Sequence, residues 1–187
     1  MMKYVGKLSF AMLLGLAVQS QAVPILGGYV IVETTGNVTA TFLGHTAAFS
    51  NDLYLYLPAN DMGIIFNNHT TPVGTTADLG TYAAGTELQF MIYVNNTGHS
   101  WFSGDASRNV DGLAHAVVDD DYAGGTATYV GFEDLFGGGD NDYDDIMFSF
   151  TNTAGSETPP VPEPSTMALM GLGAVGLGFA ARRRFKA

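Results

Sequence analysis

Glu87-Leu88-Gln89-Phe90-Met91-Ile92-Tyr93-Val94 puts Leu88, Phe90, Ile92 and Val94 on one side of an extended chain. An apolar residue at every second position is the pattern of a strand buried on one face. The same period recurs in Asp52–Leu57, where Leu53, Leu55 and Leu57 alternate with Tyr54 and Tyr56. It recurs again in Asp145–Phe150, where Ile146, Phe148 and Phe150 share a side. Shorter candidates lie at Tyr29–Thr34, Val38–Leu43, Met62–Phe66, Leu113–Asp119 and Thr126–Glu133. Clusters of Gly, Asn, Asp and Thr separate these eight segments, so the expected fold is all-β: an antiparallel β-sandwich or jelly roll of short strands.

Composition agrees with that reading. With 24 Gly, 7 Pro, 12% aromatic and 13% charged residues in 187, the chain is too rich in turn formers for a helix bundle and too apolar for disorder. It has no cysteine, which removes disulfides, thiolate metal sites and Cys nucleophiles. The formal net charge of −11 understates the acidity of the middle. Lys3 and Lys7 stand at the start, and Arg182, Arg183, Arg184 and Lys186 at the finish. The span between holds Arg108 alone against all 18 acidic residues, a net −17. Such a surface repels a phosphate backbone, so nucleic acid is excluded as a partner and cations are expected.

Both ends read as processing segments. Two lysines, the apolar run Leu8–Val18 and the small residues of Ser20-Gln21-Ala22 make residues 1–22 a secretory signal peptide, so signal peptidase is the first processing partner. The acidic domain is expected over 23–153, followed by a Thr/Pro linker over 154–160. Then come Pro162-Glu163-Pro164, an apolar run over 167–181 and Arg182-Arg183-Arg184. The run is short for a permanent span, and the arginines hold its end on the cytoplasmic side. In this order at 161–187, the three features resemble the PEP-CTERM sorting signal of Gram-negative bacteria. The resemblance implies that an exosortase recognises Pro162, Glu163 and Pro164, with Arg182, Arg183 and Arg184 as a stop. Before processing, the chain would sit in the membrane through helix 167–181. Afterwards it would reach the envelope, the cell surface or the extracellular matrix. A plain single-pass anchor is the alternative reading of the same tail.

One internal segment carries the chemistry: Glu133-Asp134-Leu135-Phe136-Gly137-Gly138-Gly139-Asp140-Asn141-Asp142-Tyr143-Asp144-Asp145. Six carboxylates in thirteen residues repel one another unless a cation offsets them, and hard oxygen ligands favour Ca²⁺. The candidate ligands are Glu133, Asp134, Asp140, Asp142, Asp144 and Asp145. Carried backwards from Ile146 and Phe148, the alternation places Asp144 on the core face. The other reading is an acidic loop kept charged for solubility. Asp140–Asp144 opens like an EF-hand loop, but Asp145 replaces its glycine and Thr151 its closing glutamate, so that motif is rejected. The segment Gly131–Phe148, with Asn109, Asp111, Gly112 and His115 upstream, resembles the domain-of-unknown-function 4114 family over about Trp101–Phe150. That resemblance implies a secreted or surface protein with an acidic site, Asp111 a distant contributor, and no established enzyme activity. Calcium is expected to be structural.

Signatures of common hydrolases and NTPases are missing, so no catalysis is expected, although carboxylate spacing leaves a glycosidase open. His45, His69, His99 and His115 are scattered and read as loop or packing residues, and Asp119–Asp121 as a charged turn. Tyr54, Tyr56 and Trp101, the last expected in a loop, form a candidate sugar platform. The alternative function is therefore a carbohydrate-binding adhesin with exopolysaccharide as partner.

Overall fold

A computed structural model of the chain describes residues 23–58 and 62–160. The expected signal peptide, sorting motif and membrane helix lie outside the described residues. Within them the strands are β1 (Ile25–Leu26), β2 (Tyr29–Val32), β3 (Gly36–Gly44), β4 (Asn51–Leu57), β5 (Phe66–Asn67) and β6 (Thr76–Tyr82). After these come β7 (Gln89–Val94), β8 (Ser100–Phe102), β9 (Ala116–Asp119), β10 (Thr128–Phe132), β11 (Ile146–Phe150) and β12 (Thr153–Ser156). All the strand pairings are antiparallel, as expected. Three-residue 3-10 turns at Ala106–Arg108 and Tyr122–Gly124 are the helical elements among the described residues.

One sheet has the order β1-β9-β10-β11-β3-β6, a second β5-β4-β7-β8, and β12 pairs with β2. The two larger sheets face each other across one apolar core, giving a sandwich-like fold. Phe90 of the four-stranded sheet stacks on Phe150 of the six-stranded sheet at 4.2 Å, and Phe66 stacks on Phe148 at 6.0 Å. Alternation explains the layers: Phe90, Ile92 and Val94 of β7, Val38, Ala40 and Phe42 of β3, and Ile146, Phe148 and Phe150 of β11 all point inward and are buried. Each of these Val, Ile and Phe side chains contributes about 1.5–3 kcal/mol through removal from water, and Ala40 less.

Strands β1, β6 and β8 lie outside the eight expected segments, and three further details depart from expectation. Met62–Phe66 supplies a strand only at its last residue, which opens β5. Leu57 is 48% exposed, because the register shifts between Leu55 and Leu57 and turns the end of β4 outward. Thr153–Ser156 pairs with β2, so the fold reaches three residues into the stretch expected as linker.

Candidate metal centre

Phe132 closes β10 and pairs with Ile146, which opens β11. Glu133 and Asp134 therefore leave one strand where Asp145 enters its neighbour, and residues 135–144 form the loop between. Local hydrogen bonds fix this end. The Asp145 N–H donates to the Phe132 carbonyl at 3.1 Å, and the Asp134 N–H donates to Asp145 Oδ2 at 2.8 Å. The ligand oxygens of Glu133, Asp134 and Asp145 lie within 4.8 Å of one another, and so do those of Glu133, Asp140 and Asp142. Glu133 belongs to both groups. The inner group is largely buried, Glu133 being 1% and Asp134 3% exposed, whereas Asp140 and Asp142 face solvent.

The glycines let the loop fold back onto Glu133. The Asn141 N–H donates to Glu133 Oε2 at 3.2 Å, and Gly139 at φ 45° lies against the same carboxylate. A Cβ at Gly139 would run into Glu133 Oε1, whereas one at Gly137, also at positive φ, would meet open space. Gly137→Ala is thus expected to cost about 1 kcal/mol, the backbone contribution alone. Gly139→Ala is expected to cost up to about 3 kcal/mol, because the clash adds to the strain. Thermal unfolding of the two variants reads the difference.

Electrostatics follow from burial. Desolvation, reinforced by the Asp145 charge, pushes the Glu133 carboxyl up to about 7. Burial likewise pushes Asp134 up to about 6; a hydrogen bond from Asn51 opposes the rise and Asp145 adds to it. Arg108, the one Lys or Arg among the described residues, is held by Glu87 at 2.6 Å. The inner carboxylates thus face no lysine or arginine, and a proton or a metal ion is what can relieve them.

A second set of side chains braces the loop from behind. His115 is fully buried, with Nδ1 2.9 Å from the Glu133 carbonyl and Nε2 2.9 Å from Asp111 Oδ2. Asp111 Oδ2 also accepts the Gly137 N–H at 2.9 Å. Burial raises the Asp111 carboxyl, but hydrogen bonds from Gly137, His115 and Leu113 outweigh it and leave the group below its usual range. Trp101 stacks on the imidazole at 3.8 Å with the rings 4° from parallel, and its Nε1–H donates to the Asp134 carbonyl at 2.8 Å.

Comparison with known families finds two matches. Residues 160–184 match the PEP-CTERM protein-sorting motif, and residues 82–153 match the domain of unknown function DUF4114. This chain carries a PEP-CTERM sorting signal. That signal marks an exported, envelope-associated protein of a Gram-negative bacterium, sorted through an exosortase. The DUF4114 match runs from the end of β6 to the start of β12 and takes in both carboxylate groups. Neither a curated protein nor a solved structure matches the chain.

Within the DUF4114 segment the structure sorts the expected residues. Glu133, Asp134 and Asp145 come together, and Asp140 and Asp142 join Glu133. Asp144 does not enter either group. Tyr143 has φ 56°, which breaks the alternation carried back from β11, and the Asp144 carboxylate accepts the Thr46 hydroxyl at the loop edge. Asp111 acts behind the loop, and His115 packs against it. Trp101 is no sugar platform: it lies in β8, is fully buried and faces the core beside Ile92. Tyr56 remains 48% exposed with its edge on Phe102, and Tyr54 is half-buried. Pro162, Glu163, Pro164 and Arg182–Arg184 lie outside the described residues. Asn51, whose Nδ2 donates to Asp134 Oδ2 at 2.7 Å, escapes sequence reading because it lies 83 residues away, in a strand with no acidic pattern of its own.

Proposed function

We propose that this exported, exosortase-sorted protein is a non-catalytic module of the cell surface or extracellular matrix whose acidic loop is organised by Ca²⁺. The observation that carries the reading is a pair of carboxylate groups sharing buried Glu133, close to the ends of β10 and β11 and facing no lysine or arginine. Carboxylate oxygens without sulfur or imidazole in the set suit a hard cation that accepts six to eight oxygens. The ion would act by mass action on the folded state. At a hundredfold excess over Kd it adds about 2.7 kcal/mol of stability, useful to a domain without disulfides. The carbohydrate-binding alternative loses Trp101 and rests on Tyr54 and Tyr56 alone.

Calorimetric titration of the full-length chain in detergent with CaCl₂, together with thermal unfolding in EDTA and in millimolar Ca²⁺, tests this. Calcium is expected to bind and to raise the melting temperature of the parent, and Asp145→Asn to lose both effects. If the parent neither binds calcium nor gains stability, the loop is a solvated acidic surface and the reading fails.

A further inference from the structure

Asn51 opens β4 and is fully buried. Its backbone is satisfied: the N–H donates to Asn68 Oδ1 at 2.8 Å, and the carbonyl accepts the Asn68 N–H at 3.0 Å. Its side chain is half satisfied. Nδ2 is used on Asp134 Oδ2, while Oδ1 has no donor, the one such buried side-chain nitrogen or oxygen among the described residues. An acceptor removed from water and left unpaired is expensive to keep, and native folds retain few.

It is Nδ2, not Oδ1, that meets the acidic cluster in this orientation. On the side of Asp134 lie the carboxylates of Asp134, Glu133 and Asp145, which are acceptors themselves. What a neutral amide oxygen and several carboxylates can share is a hard cation, for which Asn carbonyls and Asp and Glu carboxylates are the usual mixed ligand set. Amide orientation adds to this. A half-turn of the Asn51 amide exchanges Oδ1 with Nδ2 and brings two oxygens to the present 2.7 Å spacing. Two bare acceptors repel at that distance, whereas ligands of one Ca²⁺, each at about 2.3–2.6 Å from the ion, sit comfortably there.

Resting on the calcium reading above, we infer that the ion occupies the inner group, with Asn51 as a neutral ligand beside Glu133, Asp134 and Asp145. The placement has a mechanical meaning. Asn51 belongs to the four-stranded sheet, and the three carboxylates flank β10 and β11 of the six-stranded sheet. One ion would tie the two sheets together at their seam, where the Trp101 Nε1–H already crosses to the Asp134 carbonyl. The outer group of Glu133, Asp140 and Asp142 comes from a single loop and ties nothing across.

The test titrates the full-length chain in detergent with CaCl₂ by calorimetry, alongside Asn51→Ala, Asn51→Asp and an Asp140→Ala/Asp142→Ala double variant. Asn51→Ala is expected to bind calcium at least tenfold more weakly. Asn51→Asp is expected to bind more tightly than the parent, since a fourth negative charge then sits on the ion, yet to melt lower in EDTA, where the new carboxylate faces Asp134. A gain in affinity cannot come from misfolding, so Asn51→Asp decides the matter even where Asn51→Ala folds poorly. The double variant is expected to retain binding. If Asn51→Asp binds no more tightly than the parent, or if the double variant alone abolishes binding, the ion lies in the outer loop and the inference is overturned. A parent that gives no calcium heat and no shift in melting temperature overturns the calcium reading itself.

Discussion

Trp101→Ala is expected to destabilise the folded chain by about 3–5 kcal/mol, and Trp101→Phe by about 1–2 kcal/mol, in urea unfolding followed in EDTA. Trp101 is the only tryptophan of the chain and is wholly buried in a three-residue strand. Its truncation opens a cavity between Ile92 and His115, strips the imidazole of its stacking partner and leaves the Asp134 carbonyl without its indole donor. Phenylalanine restores most of the packing but lacks the N–H and part of the ring volume. The gap between the two variants thus reports the larger share of cavity formation, and the loss in Trp101→Phe combines the missing hydrogen bond with a small residual cavity. The His115 and Asp134 contacts also support the carboxylates, so Trp101→Ala is expected to weaken calcium binding as well. If Trp101→Ala unfolds within about 1 kcal/mol of the parent, the ring does not anchor the seam and the contacts behind the loop do not brace it.

The buried faces of β3, β4, β7 and β11 were legible because each carries several inward apolar residues at period two. The edge strand β6 was not. Thr76–Tyr82 buries Leu79 alone and contains Gly80, so it has no alternation to read. The three residues of β8 are too few to show a period, and the polar residues before Trp101 made a loop the natural expectation. The site divides in the same way. Local density of carboxylates pointed to Glu133–Asp145, but the choice of Asp145 over Asp144 depends on a positive φ at Tyr143, which a non-glycine residue does not announce. Asn51, His115 and Trp101 reach the site through strand pairing and sheet packing from distant parts of the chain, and no local pattern encodes such contacts.

In EDTA the chain is expected to lose stability as pH rises from about 5 to 8, and in saturating calcium this dependence is expected to flatten out. The sign follows from Glu133 and Asp134. Their folded-state values, about 7 and about 6, lie above the ordinary 4.5 and 3.8. Between the ordinary and raised values the folded chain holds protons that the unfolded chain has released, so raising the pH favours unfolding. The contribution is fully present below the ordinary values and disappears as pH passes through about 7. At about 1.4 kcal/mol per unit, and with neighbouring carboxylates titrating together, the loss is on the order of 3 kcal/mol. Asp111, held below its usual range, acts in the opposite sense but only at more acidic pH. Calcium requires these same carboxylates deprotonated, as they already are in the unfolded chain above about pH 5, so bound-state stability stays nearly level while the metal-free fold weakens and the increment due to calcium grows. Melting temperatures at pH 5 and pH 8, with EDTA and with Ca²⁺, give the four values needed. Curves that diverge as pH rises place proton and ion in competition for the buried carboxylates. Parallel curves would mean that the ion binds elsewhere, and a flat EDTA curve would mean that water reaches Glu133 and Asp134 despite their burial.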